Sequence, residues 1–298
     1  MSQGEVNDMK RITAPNILFA VGIVVAIQLV ALFITYENLP TYTYMVSTAG
    51  YSYAPLGTSS TGSAANAIVL VLVVFVSTLG LVWVLSRKMV LPFKVLIFAS
   101  ISISAFFLTL VTFDSFSYRF VPEAYQLPLD VGVSLVVVAL IGVTIFVKNY
   151  PALSTVVLAF VGAEVGSFFA STLPPITALV LPVVFSAYDI YAVFRGPLKQ
   201  LVGIGGGVAL TGMSIRAGEF TLGLGDIVFY TMLPSLALFY LTPLISLSTI
   251  VAIDAGVVVT LYLLGKRKLL PGLPIPMILG VVLLSVFLLS TRVPGFPL

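Results

Sequence analysis

"ITALVLPVVFSAYDIYAVF", Ile176 to Phe194, is an almost wholly apolar run that carries one carboxylate, Asp189. As a helix rising 1.5 Å per residue, it is long enough to cross the roughly 30 Å hydrocarbon core of a bilayer. An ionised acid inside that core costs at least about 2.5 kcal/mol, so the residue is functional by default. The plain alternative is a protonated, hydrogen-bonded structural acid.

The composition places this run in a membrane protein. Of 298 residues, 59% are hydrophobic and only 8% are charged, against about 25% charged in a soluble domain. The mean hydropathy is +1.17, which leaves little room for a separate soluble domain. The net charge of +3 does not argue for nucleic acid, because the lysines and arginines sit in short loops between apolar runs. With no cysteine, disulfides and thiolate metal sites are excluded. With no histidine, so are a zinc HExxH site and the Ser-His and Cys-His dyads. Acid–base chemistry falls to carboxylates, and no metal or cofactor is expected.

Apolar runs at about 16–35, 65–85, 93–113, 131–147, 151–170, 176–194, 222–242, 245–264 and 275–291 predict an all-α integral membrane protein of nine spans. The first, Ile17 to Ile34, exceeds a signal-peptide core and is read as a retained span. Prolines punctuate the junctions at Pro92, Pro128, Pro151, Pro174, Pro175, Pro243 and Pro271. With a cytoplasmic N-terminus, twelve of the 14 basic residues fall on the cytoplasmic side: Lys10, Arg11, Arg87, Lys88, Lys94, Lys148, Arg195, Lys199, Arg216, Lys266, Arg267 and Lys268. Only Arg119 and Arg292 fall outside. That asymmetry supports both the count and the direction, with the C-terminus outside. Tyr36 to Ala64 reads as a polar connector on the outer face. No internal repeat is evident, and an odd span count argues against an inverted-repeat transporter.

Seven of the 11 acids, namely Glu5, Asp8, Glu37, Asp114, Glu123, Asp130 and Glu219, are assigned to loops or span edges. The other four, Glu164, Asp189, Asp226 and Asp254, lie within spans. Asp189 precedes the cytoplasmic end of span six, and Asp226 follows the cytoplasmic start of span seven. Both therefore sit roughly 6–8 Å below the same surface. Antiparallel neighbours at one depth can face each other, and two facing carboxylates share one proton. The ionised member can activate water while the protonated one polarises a carbonyl. Asp226 closes "GLGD" (Gly223 to Asp226), where glycine admits close approach by another backbone. Helix packing by small residues is the bland reading of those glycines.

Three stretches carry a resemblance: "YDIYAVFRGPLKQLV" (Tyr188 to Val202), "LGLGDIVFY" (Leu222 to Tyr230) and "LPGLPIP" (Leu270 to Pro276). Together they resemble the signature regions of the presenilin and signal peptide peptidase family of GxGD intramembrane aspartic proteases. The likeness is best over about 176–291 and extends to the first five spans in number and direction. It implies a presenilin-like bundle in which Asp189 and Asp226 form the catalytic dyad. It also implies that Tyr188, Gly223, Leu224, Gly225, Pro271, Gly272, Leu273 and Pro274 line the substrate path. Gly272 stands where the family usually has alanine, a small-for-small change that should preserve the role. A cytoplasmic N-terminus is presenilin-like, and the short segment 195–221 resembles a compact archaeal or bacterial member. Such a chain is expected in a prokaryotic cell membrane, without obligatory accessory subunits or self-cleavage, acting on transmembrane-helix proteins and not on nucleic acid.

The expected organisation is an N-terminal bundle, 1–170, and a catalytic region, 171–298, with a flexible loop at 195–221. "GIGGGVALTG" (Gly203 to Gly212) lacks the context of a phosphate loop and reads as a gate or linker. "MSIRAGEF" (Met213 to Phe220) alternates loosely and is expected to form a strand that can pair with an unwound substrate. A proton-coupled transporter or channel using Glu164, Asp189, Asp226 and Asp254 as a relay is the alternative, but it leaves the three motifs unexplained. A prepilin-type peptidase shares GxGD, but such enzymes are shorter and lack the final proline motif.

Overall fold

The computed structural model describes residues 14–48, 54–147, 150–195, 213–265 and 270–291. Among them are nine helices: α1 (Ala14–Ser47), α2 (Ser60–Ser86), α3 (Val90–Phe120), α4 (Glu123–Phe146), α5 (Pro151–Thr172), α6 (Pro175–Phe194), α7 (Leu224–Tyr240), α8 (Pro243–Leu264) and α9 (Pro274–Thr291). Seven are long and apolar enough to cross a membrane, while α7 and the apolar part of α9 are shorter. Large apolar side chains such as Phe33, Leu72, Phe107, Val156 and Val251 point outward. That suits a lipid surface, where only the backbone must be satisfied internally.

Two expected boundaries move. The stretch from Tyr36, read as an external connector, continues α1 as helix to Ser47 and passes through Pro40. The buried polar groups of this extension give the reason. Glu37 pairs with Arg119 at 3.0 Å, and Asn38 Nδ2 donates to Thr112 Oγ1 at 3.0 Å. Tyr42 meets Phe168 edge-on. Pro128, expected at a junction, lies inside α4. Asp130, assigned to a span edge, is only 1% exposed and accepts from Ser117 Oγ at 3.2 Å.

Helices α1, α5, α6, α7, α8 and α9 and the first half of α2 share one apolar core, while the end of α2, α3, α4 and part of α5 build a second. The α5–α7 contact is close because Gly166 lacks a side chain: a Cβ there would overlap the Thr231 hydroxyl. Inside α7, Pro234 has no N–H for the Tyr230 carbonyl one turn earlier. Gln28 Nε2 from α1 donates to that carbonyl instead, at 3.3 Å.

The expected strand at 213–220 is realised as half of a hairpin. β1 (Ser214–Ala217) pairs antiparallel with β2 (Phe220–Gly223), and Gly218 turns the chain at φ +65°, as tight hairpins require. β2 runs directly into α7, and the Leu224 N–H donates to Met213 O at 2.9 Å. The Gly203–Gly212 stretch lies outside the described residues.

Candidate active site

Asp189 lies five residues before the end of α6 at Phe194. Asp226 is in the first turn of α7, next to the hairpin. Both are half-buried, and their charges act on each other. The depth match inferred from residue counts thus corresponds to spatial proximity.

The third motif joins them. Leu273 N–H donates to Asp189 Oδ2 at 3.1 Å, across 84 residues of sequence, and the Gly272 N–H also faces this carboxylate. On the other side, a Cβ built on Gly272 would stand 2.6 Å from Asp226 Oδ2 and 3.0 Å from its carboxyl carbon. The backbone of 272–273 therefore touches both acids, and it can do so because residue 272 has no side chain. Gly223 N–H donates to Asp226 Oδ2 at 3.3 Å, closing a turn at the head of α7.

The remaining expected site residues divide. Gly225 is exposed, and no heavy atom lies within 4 Å of its notional Cβ, so its face is open to another chain. Leu224 is held by its N–H to the hairpin. Pro271 and Leu273 are buried, and Pro274 opens α9. Tyr188 turns toward α2: its hydroxyl donates to Thr78 Oγ1 at 3.4 Å, and its ring meets Phe75 and Phe185 edge-on. These contacts pack the ring between α2 and α6 beside Asp189 in the chain.

Tyr230, not singled out in the sequence, is buried, and its hydroxyl donates to Gly272 O at 2.9 Å. Its signal was available: it lies four residues after Asp226, one turn along the same helix face. Asp254 faces Gln28 behind Tyr230. Glu164 lies elsewhere, accepting from Thr109 Oγ1 of α3 at 3.0 Å.

Comparison with known proteins gives the family and the fold. The Presenilin family model matches residues 5–205. Over 121 residues the chain is 39% identical to Presenilin-B of Dictyostelium discoideum, a match covering 37% of this chain and 25% of that protein. The matched stretch thus amounts to a quarter of the curated relative's length. Two solved structures of a presenilin family intramembrane aspartate protease, in C222 and P2 space groups, share the fold. They give TM-scores of 0.58 and 0.56 at 22% identity, covering 89% and 88% of this chain and 99% and 97% of theirs. Apolar helices of spanning length and the matching family model lead to one conclusion: this multi-pass integral membrane protein belongs to the presenilin family.

Proposed function

We propose that the chain is an intramembrane aspartic endopeptidase that cuts transmembrane helices with Asp189, Asp226 and water. The observation that carries this reading is the meeting of both carboxylates at the Gly272–Leu273 backbone. Two acids so close share one proton. Asp189, which accepts the Leu273 N–H, is assigned the base. It takes a proton from water as the water oxygen bonds to the scissile carbonyl carbon. Asp226 gives its proton to the carbonyl oxygen, forming a gem-diol. As that intermediate collapses, Asp226 takes back a proton from one gem-diol hydroxyl, the C–N bond breaks, and the amine leaves with the proton held by Asp189, which restores the dyad.

A helical substrate must unwind before its carbonyls are accessible. Thr155 Oγ1 engages both the N–H and the carbonyl of Arg216 at 3.3 Å, which occupies the outer edge of β1 there. The register pairs Arg216 with Thr221, so the Thr221 backbone groups face outward on β2 by the alternation of antiparallel ladders. Pairing of the unwound substrate along β2 would lead its backbone to Asp226 and the open face of Gly225. In this reading α7 and α9 complete nine spans, with a cytoplasmic N-terminus, and no accessory subunit is required.

The test is cleavage of a transmembrane-helix substrate by the purified chain in detergent. Asp189→Ala and Asp226→Ala each abolish it, and the wild type follows a bell-shaped pH profile. Cleavage surviving in both variants would overturn the dyad. In a proton relay, by contrast, Asp254→Asn and Glu164→Gln would be as damaging as the dyad variants.

A further inference from the structure

Away from the dyad, α1, α3 and α5 each present two polar side chains three residues apart on one face: Thr35 and Asn38, Thr109 and Thr112, Glu164 and Ser167. Three hydrogen bonds close these pairs into a ring. Asn38 Nδ2 donates to Thr112 Oγ1 at 3.0 Å, Thr109 Oγ1 to Glu164 Oε2 at 3.0 Å, and Thr35 Oγ1 to Ser167 Oγ at 2.7 Å. The Tyr42 hydroxyl joins them, accepting from Asn38 Nδ2 at 3.4 Å and lying beside Ser167 and Glu164. Glu164 is 1% exposed, and Asn38, Thr109, Ser167 and Thr35 are fully buried.

Among the described residues, the ring is rich in acceptors and short of positive charge. Glu164 Oε1 and Asn38 Oδ1 are both buried and receive no hydrogen bond from the described residues. Asn38 Nδ2 donates to Thr112 and Tyr42 within the ring, so its amide head, with the unpartnered oxygen, lies within the cluster. The Arg119 guanidinium on α3 is held by Glu37. The ammonium of Lys94, at the other end of α3, donates to Ile145 O. A buried carboxylate with no cationic partner is strongly disfavoured.

We propose that this ring is a binding site for a single small monovalent cation, sodium, with Glu164 Oε1 and Asn38 Oδ1 as its principal ligands and the ring hydroxyls completing the shell. Every available ligand is a hard oxygen, as such ions demand, and the single carboxylate balances one positive charge. Calcium and magnesium sites draw on more carboxylates or on substrate phosphates. Access is provided one turn nearer the helix ends, where Thr41 and Ser115 pair at 3.0 Å and are partly exposed. Exposed Asp114 adds negative charge at that mouth. The bound ion would tie α1, which contacts α7 and α8, to α3 and α5.

The probe is radioactive sodium with the purified full chain in detergent, alongside melting temperature in sodium chloride and in choline chloride at equal ionic strength. The wild type should bind sodium saturably, displaced by unlabelled sodium, and melt about 2–4 °C higher in sodium chloride. Glu164→Gln should lose both effects. Asn38→Ala, which keeps the carboxylate, should weaken sodium affinity about tenfold, a loss of one oxygen ligand, and keeps the site testable should Glu164→Gln fail to fold. Absence of saturable sodium binding by the wild type, with equal melting in both salts, would overturn the proposal in favour of a carboxyl neutralised by its own proton. Sodium binding that survives in both variants would overturn the assignment of the ligands.

Discussion

Gly272→Ala is the most informative single substitution at the dyad, because it adds one methyl group at the point where both acids meet. The new Cβ would lie 2.6 Å from Asp226 Oδ2, 3.0 Å from Cγ and 3.3 Å from Oδ1. Ordinary contact begins at 3.4 Å, so at least 3.4 − 2.6 = 0.8 Å of displacement is needed. The 272–273 backbone resists moving: Tyr230 holds Gly272 O at 2.9 Å, and Asp189 holds the Leu273 N–H at 3.1 Å. The Asp226 carboxylate must therefore swing away, loosening its 3.3 Å bond from Gly223. A misplacement of about 1 Å costs about 100-fold in rate, equivalent to about 2.7 kcal/mol at the transition state. The expected outcome is a fall in kcat of about 10- to 100-fold with little change in KM, read from initial rates of substrate cleavage in detergent. Gly132→Ala, on α4 with no atom within 4 Å of its Cβ, controls for a generic glycine effect. Wild-type kcat in Gly272→Ala would refute the reasoning, because it would mean that Asp226 does not work from the position described. The outcome is not obvious from the family, which usually carries alanine there.

Tyr230→Phe removes the hydroxyl that anchors Gly272 O. It should lower kcat about tenfold while costing about 1 kcal/mol of stability, measured by cleavage rate and thermal melting. Thr221→Pro replaces the outward N–H of β2 and should reduce kcat/KM for a helical substrate, with the circular dichroism spectrum unchanged. A short peptide that is already extended should be cut with a smaller loss. Gly166→Ala drives a methyl into Thr231 at the α5–α7 contact and should destabilise the protein by about 1–3 kcal/mol, seen as a lower melting temperature.

The apolar runs, and therefore the helices, were legible because a bilayer imposes a local demand: about twenty apolar residues with every backbone group bonded within the segment. The proximity of Asp189 and Asp226 was legible too, since equal distances from the ends of successive spans translate into equal depth. The partners of polar groups near span ends are not legible in the sequence. Glu37 and Asp130 look like connector residues, because the partners that bury them, Arg119 and Ser117, lie on another helix. The same held for the extension of α1 beyond residue 35 and the passage of α4 through Pro128. Local rules treat proline and charge as boundaries, but tertiary partners can satisfy both.

The motif LPGLPIP could be seen in the sequence, but not what its backbone does. That Gly272 and Leu273 stand between two aspartates follows from the meeting of α6, α7 and the start of α9. The absence of a side chain is the decisive feature, and it acquires meaning only when a carboxylate occupies the space. Glu164 shows the same division. Its sequence position marked a carboxylate within a span, while the surrounding ring of hydroxyls and the amide of Asn38 come from three helices. Hydropathy is a property of each segment taken alone, whereas hydrogen-bond partners are assigned only when segments far apart in the chain pack together.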